Sequence, residues 1–112
     1  AAMLRGVVSA IVADATRPAL RADSVDVVLA DLPYGGSHAR LDVGALLTQL
    51  GRLLRHGGRM LLLGSSGATG SATASLKCIR RWPRGSWRLV REAPVSCGGI
   101  PCTALLIVRS KR

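Results

Sequence analysis

The stretch Ser24-Val25-Asp26-Val27-Val28-Leu29-Ala30-Asp31-Leu32-Pro33-Tyr34-Gly35-Gly36 decides how the chain is read. Val25–Ala30 is short and mostly apolar, with β-branched residues at 25, 27 and 28, the pattern of a buried strand. It closes on Asp31 and runs into a loop marked by Pro33, Gly35 and Gly36. In an open α/β sheet, ligands bind outside the carboxyl ends of the strands, so an acid in this position is a natural acceptor for hydroxyl or amino groups. The competing role for any single strand-end Asp is that of a turn or cap residue.

Working outward, Val7–Ala13 reads as another buried strand closed by Asp14, and Pro18 prevents its continuation. Leu41–His56 reads as a helix. Val43, Leu46, Leu47, Leu50, Leu53 and Leu54 form one apolar stripe, with Gln49, Arg52 and Arg55 facing away. Arg55 and His56 fall in its last turn, and Gly57-Gly58 closes it. Arg59–Gly64 is the next strand. Small residues at 65–70 lead to a short helix capped by Ser71 and ending at Ile79 or Arg80. Gly64 to Gly70 is glycine-rich and follows a strand, but it lacks a later acid and reads as a connecting loop. Ser86–Glu92 and Thr103–Arg109 read as two last strands, paired as an antiparallel hairpin whose turn region runs from Pro94 to Pro101 with the turn pair Gly98-Gly99 inside it. The class is α/β, a parallel sheet ending in an antiparallel hairpin.

At 112 residues the chain holds one domain, and 48% hydrophobic residues suffice for a core. A mean hydropathy of +0.30 excludes a disordered chain. The apolar runs fall far short of the ~20 residues of a membrane-spanning helix. The opening Ala1-Ala2-Met3 has no basic region followed by an apolar stretch, so no secretory signal is expected, and Ala1 is not expected to be a natural N-terminus. Cys78, Cys97 and Cys102 form no C-x-x-C and no finger-type ligand set, so free thiols in a reducing compartment and no metal are expected. Charge is uneven. Residues 1–51 carry four Arg against five Asp, whereas residues 52–112 carry twelve Lys and Arg against Glu92. That half suits a phosphate-bearing partner or reflects an Arg-rich bias, and charge alone leaves both open.

Asp31-Leu32-Pro33-Tyr34 resembles the D/N-P-P-Y/F motif of S-adenosylmethionine-dependent amino methyltransferases, in a D-x-P-Y-G variant. Val12 to Pro18 and Ser24 to Val28 look like that family's neighbouring strands. Trp87-Arg88 to Gly98-Gly99-Ile100, with Leu105–Arg109, is similar to the THUMP-domain RNA guanosine-N2 methyltransferases. The resemblance implies the C-terminal half of a Rossmann-like class I methyltransferase domain over residues 1–112. The glycine-rich cofactor strand and any THUMP module would lie outside it. It implies S-adenosylmethionine as cofactor, N2-methylation of a guanosine in tRNA or small nuclear RNA, a small zinc-binding activator subunit as partner, and a cytoplasmic or nuclear location. Asp14, Ala15 and Asp31 would meet the cofactor, with Asp14 bonded to its adenine amine.

The motif also makes chemical sense by itself. The exocyclic amine of a base is a poor nucleophile, because its lone pair is delocalised into the ring. The Asp31 carboxylate and the Leu32 carbonyl are candidate acceptors that would pull the nitrogen toward tetrahedral geometry. Pro33 fixes φ and brings no competing N–H. Tyr34 offers a π face to a flipped-out base and to a sulfonium charge. Catalysis would be positioning for an in-line displacement. Arg40 is a candidate phosphate contact. Arg80, Arg81, Arg84 and Arg88 interleave with Trp82 and Trp87 as a basic and aromatic RNA patch, unless the two Trp simply cover the hairpin. His38 is a loop residue near the motif, solvated or touching the target nucleotide. The strand ending at Asp31 is expected to expose one edge. The alternative function is a non-catalytic RNA- or partner-binding remnant. A third reading keeps methyl transfer but moves it to DNA adenine or a protein glutamine amide, and the basic half disfavours the protein substrate.

Overall fold

The computed structural model describes residues 10, 14–32, 42–83 and 85–111. Its elements are β1 (Val25–Asp31), α1 (Val43–Leu53), β2 (Leu54–Ser65), α2 (Ser71–Ile79), β3 (Trp87–Cys97) and β4 (Ile100–Arg109). The sheet order is β1-β2-β4-β3. β1 lies parallel to β2, with Asp31 opposite Leu63, while β4 is antiparallel to both β2 and β3. The α/β class, the parallel pair and the closing hairpin are as expected. The strand expected over Val7–Ala13 lies, apart from Ala10, outside the described residues.

Both helices cover one face. Leu46 and Leu47 of α1 and Ile79 of α2 join Val28, Leu32, Leu54, Met60, Leu62, Leu105 and Ile107 in a single core. Met60, Leu62, Leu105 and Ile107 are fully buried, because they alternate onto the helix side of the two central strands. On the other face Val27, Leu29 and Leu61 are exposed at 55%, 75% and 41%. β1 forms an edge of the described sheet, as expected.

Four local expectations are corrected. The helix expected over Leu41–His56 spans Val43–Leu53, begun by the Asp42 carboxylate, which accepts from the Ala45 N–H at 3.0 Å. Arg55 and His56 belong to β2 instead, since Leu54 turns extended (ψ 125°) to pair with Val25. Gly57-Gly58 does not close the helix. The two glycines take up an irregularity in β2, where the partners of Val25 and Val27 jump from Leu54 to Arg59, and Gly57 sits at φ +79°. Ser71 is not the cap of α2: Gly70 occupies that position, and the Ser71 hydroxyl accepts from the Ser65 N–H at 3.0 Å, while Ser65 Oγ accepts from the Ser71 N–H. A side chain at Gly70 would meet the Ser65 carbonyl oxygen at 2.1 Å. Finally, the hairpin turn is only Gly98-Gly99, both at positive φ as a tight two-residue turn requires. Pro94 and Pro101 lie within the strands; Pro94 is tolerated on edge strand β3 and Pro101 is the second residue of β4.

Ile107→Ala is expected to cost about 2–5 kcal/mol of unfolding free energy, against less than about 0.5 kcal/mol for Leu29→Ala. Urea denaturation of the two variants checks the contrast.

Candidate functional site

Asp31 ends β1 as an exposed carboxylate. The next residue fixes its place: the Leu32 side chain is buried in the core, and its N–H donates to the Leu63 carbonyl at 2.8 Å. The end of β1 is thus pinned to the carboxyl end of β2, on the side where a parallel pair presents its ligand site. Pro33, Tyr34, His38, Arg40 and Arg84 lie outside the described residues.

Asp31 reaches across the sheet electrostatically. Burial pushes the Cys102 thiol above its ordinary value, helped by a hydrogen bond with Cys97 and by the electrostatic effect of Cys97 and Asp31. All three cysteines are free thiols. Among the described residues no group of three or more His, Cys, Asp or Glu is placed to hold a metal ion, and no helix is long and apolar enough to cross a membrane.

Asp14 and Ala15 are exposed in a turn ahead of β1. The Asp14 Oδ1 accepts from the Thr16 hydroxyl at 2.7 Å and the Thr16 N–H at 2.9 Å, and the Asp14 carbonyl accepts from the Arg17 N–H. The Thr16 hydroxyl, then its N–H, holds the Asp14 carboxyl below its ordinary 3.8. Asp14 therefore has turn-forming work of its own, carried by Oδ1.

The glycine-rich loop after β2 closes on itself. Ser65 and Ser71 bond reciprocally, Thr73 Oγ1 donates to the Gly67 carbonyl, and the Ser66 and Thr103 hydroxyls lie 2.7 Å apart. It works as a strand-to-helix connection.

Arg80 and Arg81 are exposed just past the last turn of α2. Because α2 starts beside the carboxyl end of β2 and runs back along it, they sit at the opposite end of the sheet from Asp31. The separation is roughly 20 Å, one strand length. The structure does not bring them to the motif. Trp82 and Trp87 form a tilted pair with ring centroids 4.6 Å apart, packed against the core. Gly51 of α1 lets them close in, since a Cβ there would lie 3.3 Å from Trp87. The Arg109 guanidinium sits 5.5 Å from the Trp87 ring and also bonds Asp23 and the Leu54 carbonyl. Both Trp residues thus seal the lower end of the core.

A concavity of about 690 Å³ opens at that same lower end, lined by Arg59, Arg88, Arg109, Lys111 and neighbouring Val108 and Ser110. Only Arg88 of these was part of the patch expected from sequence. Arg59 and Lys111 were missed because residues 59, 88 and 111 meet only through the β2-β4-β3 pairing.

No family model matches the sequence, and no curated protein matches it. Among solved structures, TrmN from Thermus thermophilus superimposes with a TM-score of 0.62 at 24% identity, over 88% of this chain and 27% of TrmN. Two crystal structures of TTHA0409, also from Thermus thermophilus and named as a putative DNA modification methylase, give TM-scores of 0.53 and 0.58 at 16% and 18% identity. They cover 84% and 90% of this chain, and 49% and 53% of TTHA0409. The chain thus spans about a quarter of TrmN and half of the other protein. Its fold is the Rossmann-like α/β arrangement of the matching segments of those proteins.

Two outcomes test this geometry. The Asp14 carboxyl, followed by NMR, is expected to titrate below 3.8 and to return toward it in Thr16→Ala. The contribution of the turn to stability is then fully present above that pH and is lost as pH falls through the lowered value. Cys102, being buried with a raised thiol, is expected to be the last cysteine alkylated by iodoacetamide, its rate rising only at strongly alkaline pH.

Proposed function

We propose that this chain is the motif-bearing part of a longer S-adenosylmethionine-dependent methyltransferase, one that methylates the N2 amine of a guanosine in tRNA or small nuclear RNA. The observation that carries this reading is Asp31-Leu32 at the carboxyl end of β1, pinned beside β2 in a methyltransferase fold and immediately followed by Pro33-Tyr34. The choice of RNA and of guanosine N2 rests on the likeness of residues 87–109 to THUMP-domain enzymes. The net +10 charge supports a phosphate-bearing substrate.

The cofactor, when bound, supplies an electrophilic methyl group on a sulfonium. The donor set fits such a group: Asp31 is an exposed carboxylate at the ligand end of the sheet, and Asp14 keeps Oδ2 for an adenine amine. Asp31 and the Leu32 carbonyl accept the two amino hydrogens of the base. That draws nitrogen electron density out of the ring and aims the lone pair at the methyl carbon. The buried Leu32 side chain holds this pair of acceptors in place, which is what an in-line displacement demands. Tyr34 stacks on the extruded base. Arg80 and Arg81 contact RNA about one strand length from the target base. A small zinc-binding activator subunit completes the assembly.

The polypeptide carrying this segment, incubated with a tRNA transcript and radiolabelled cofactor, is expected to label guanosine N2. Asp31→Ala is expected to lower kcat on the order of 100-fold, the usual cost of removing one preorganised hydrogen-bonding group from a transition state. Undiminished turnover in that variant overturns the assignment. RNA binding with no turnover in the unaltered protein leaves a binding module.

A further inference from the structure

We propose that the concavity bearing Arg59, Arg88 and Lys111 is a binding site for the phosphodiester backbone of a polynucleotide, distinct from the Asp31 site and at the other end of the sheet. It goes beyond the function proposed above and shares with it only a phosphate-bearing ligand.

Register builds the site. Arg59 and Arg88 both pair with Val108, from opposite sides, so the three form one row across β2, β4 and β3. Paired residues project from the same face. This is the face away from α1 and α2, since Met60 and Ile107, one position along each central strand, point into the core. Lys111 lies beyond the end of β4, after Ser110, with its stem near Gly57. Among the described residues the cavity lining contains no carboxylate.

The charges are also unspent. Among the described residues the ion pairs are Arg55 with Asp26 and Arg109 with Asp23. The side chains of Arg59, Arg88 and Lys111 enter neither, and they make no hydrogen bond to another described residue. Arg109 is already held by Asp23 and the Leu54 carbonyl, so its charge is compensated and it does not count among the free cations. Three uncompensated cations around one concavity repel one another, and an anionic ligand relieves that repulsion.

The spacing favours a chain of phosphates over a single one. The Arg59 and Arg88 backbones are two strand spacings apart, roughly 10 Å, and Lys111 extends the line past the end of β4. Rigid strands carry the first two cations, so ordering them costs side-chain entropy alone.

The test is the salt dependence of RNA binding by the unaltered chain and single variants, read by anisotropy of a labelled oligouridylate. Each lost phosphate contact lowers the slope of log K against log salt by about 0.7 on single strands. Arg59→Gln and Arg88→Gln are each expected to show that drop, with unchanged thermal unfolding because both side chains are exposed. Lys77→Gln, an identical charge change on α2, is expected to leave the slope within error. An equal drop in Lys77→Gln overturns the site in favour of a diffuse charge effect. So does absence of RNA binding by the unaltered chain. If polyglutamate binds as tightly as RNA and loses affinity equally in Arg59→Gln, the concavity is a dock for acidic protein and the proposal fails. Asp31→Ala is expected to leave the slope unchanged. Failure of methyl transfer with these slopes intact therefore refutes the enzymatic reading and not this one.

Discussion

β2 is hydrogen-bonded on both edges, parallel to β1 and antiparallel to β4, and every other placement in the molecule follows from that double pairing. Residues Met60 and Leu62 on β2 face Ile107 and Leu105 on β4, and all four are shielded from water. Each such side chain contributes on the order of 1.5–3 kcal/mol by burial. A one-residue slip of either strand would turn the whole set to solvent and bring Arg59, Leu61 and Leu106 inward. The register is therefore strongly specified. It carries Asp31 to its place beside Leu63 and Arg88 to its place beside Val108.

The two ends of the sheet are built for different chemistry. At the carboxyl end of β1 the exposed carboxylate of Asp31 lies near the Cys97–Cys102 thiols. At the opposite end the Trp82–Trp87 pair closes the core while arginines and Lys111 ring the rim. A polynucleotide bound along this axis would have its backbone attracted at one end and a base presented to acceptors at the other. The Arg55–Asp26 pair is largely exposed, and pairs of that kind are worth at most about 1 kcal/mol.

Arg109 joins the last strand to the first. Its guanidinium bonds Asp23 ahead of β1 and the Leu54 carbonyl at the α1–β2 junction, and lies over Trp87. One side chain thus ties β4 to the segment leading into β1. The segment is fastened a second time by Arg52, which donates to the Leu20 carbonyl at 3.2 Å. The approach to the Asp31 strand is fixed by two arginines of the basic half, Arg109 through the Asp23 carboxylate and Arg52 through the Leu20 carbonyl.

By itself the sequence determined the elements whose signals are local. The β-branched run of β1, the apolar stripe of α1, the Gly98-Gly99 turn and the Asp31–Tyr34 motif are each readable within a dozen residues, because periodicity and turn chemistry act at that range. The tertiary structure decided whatever depended on a distant partner. Leu54 left the helix for a strand because Val25 offered backbone hydrogen bonds, and Ser71 served Ser65 in place of its own helix. Pro94 and Pro101 stayed within strands because an edge and a strand end tolerate a missing donor. The gathering of Arg59, Arg88 and Lys111 was equally hidden, since nothing in residues so far apart in the chain records which strands will lie side by side.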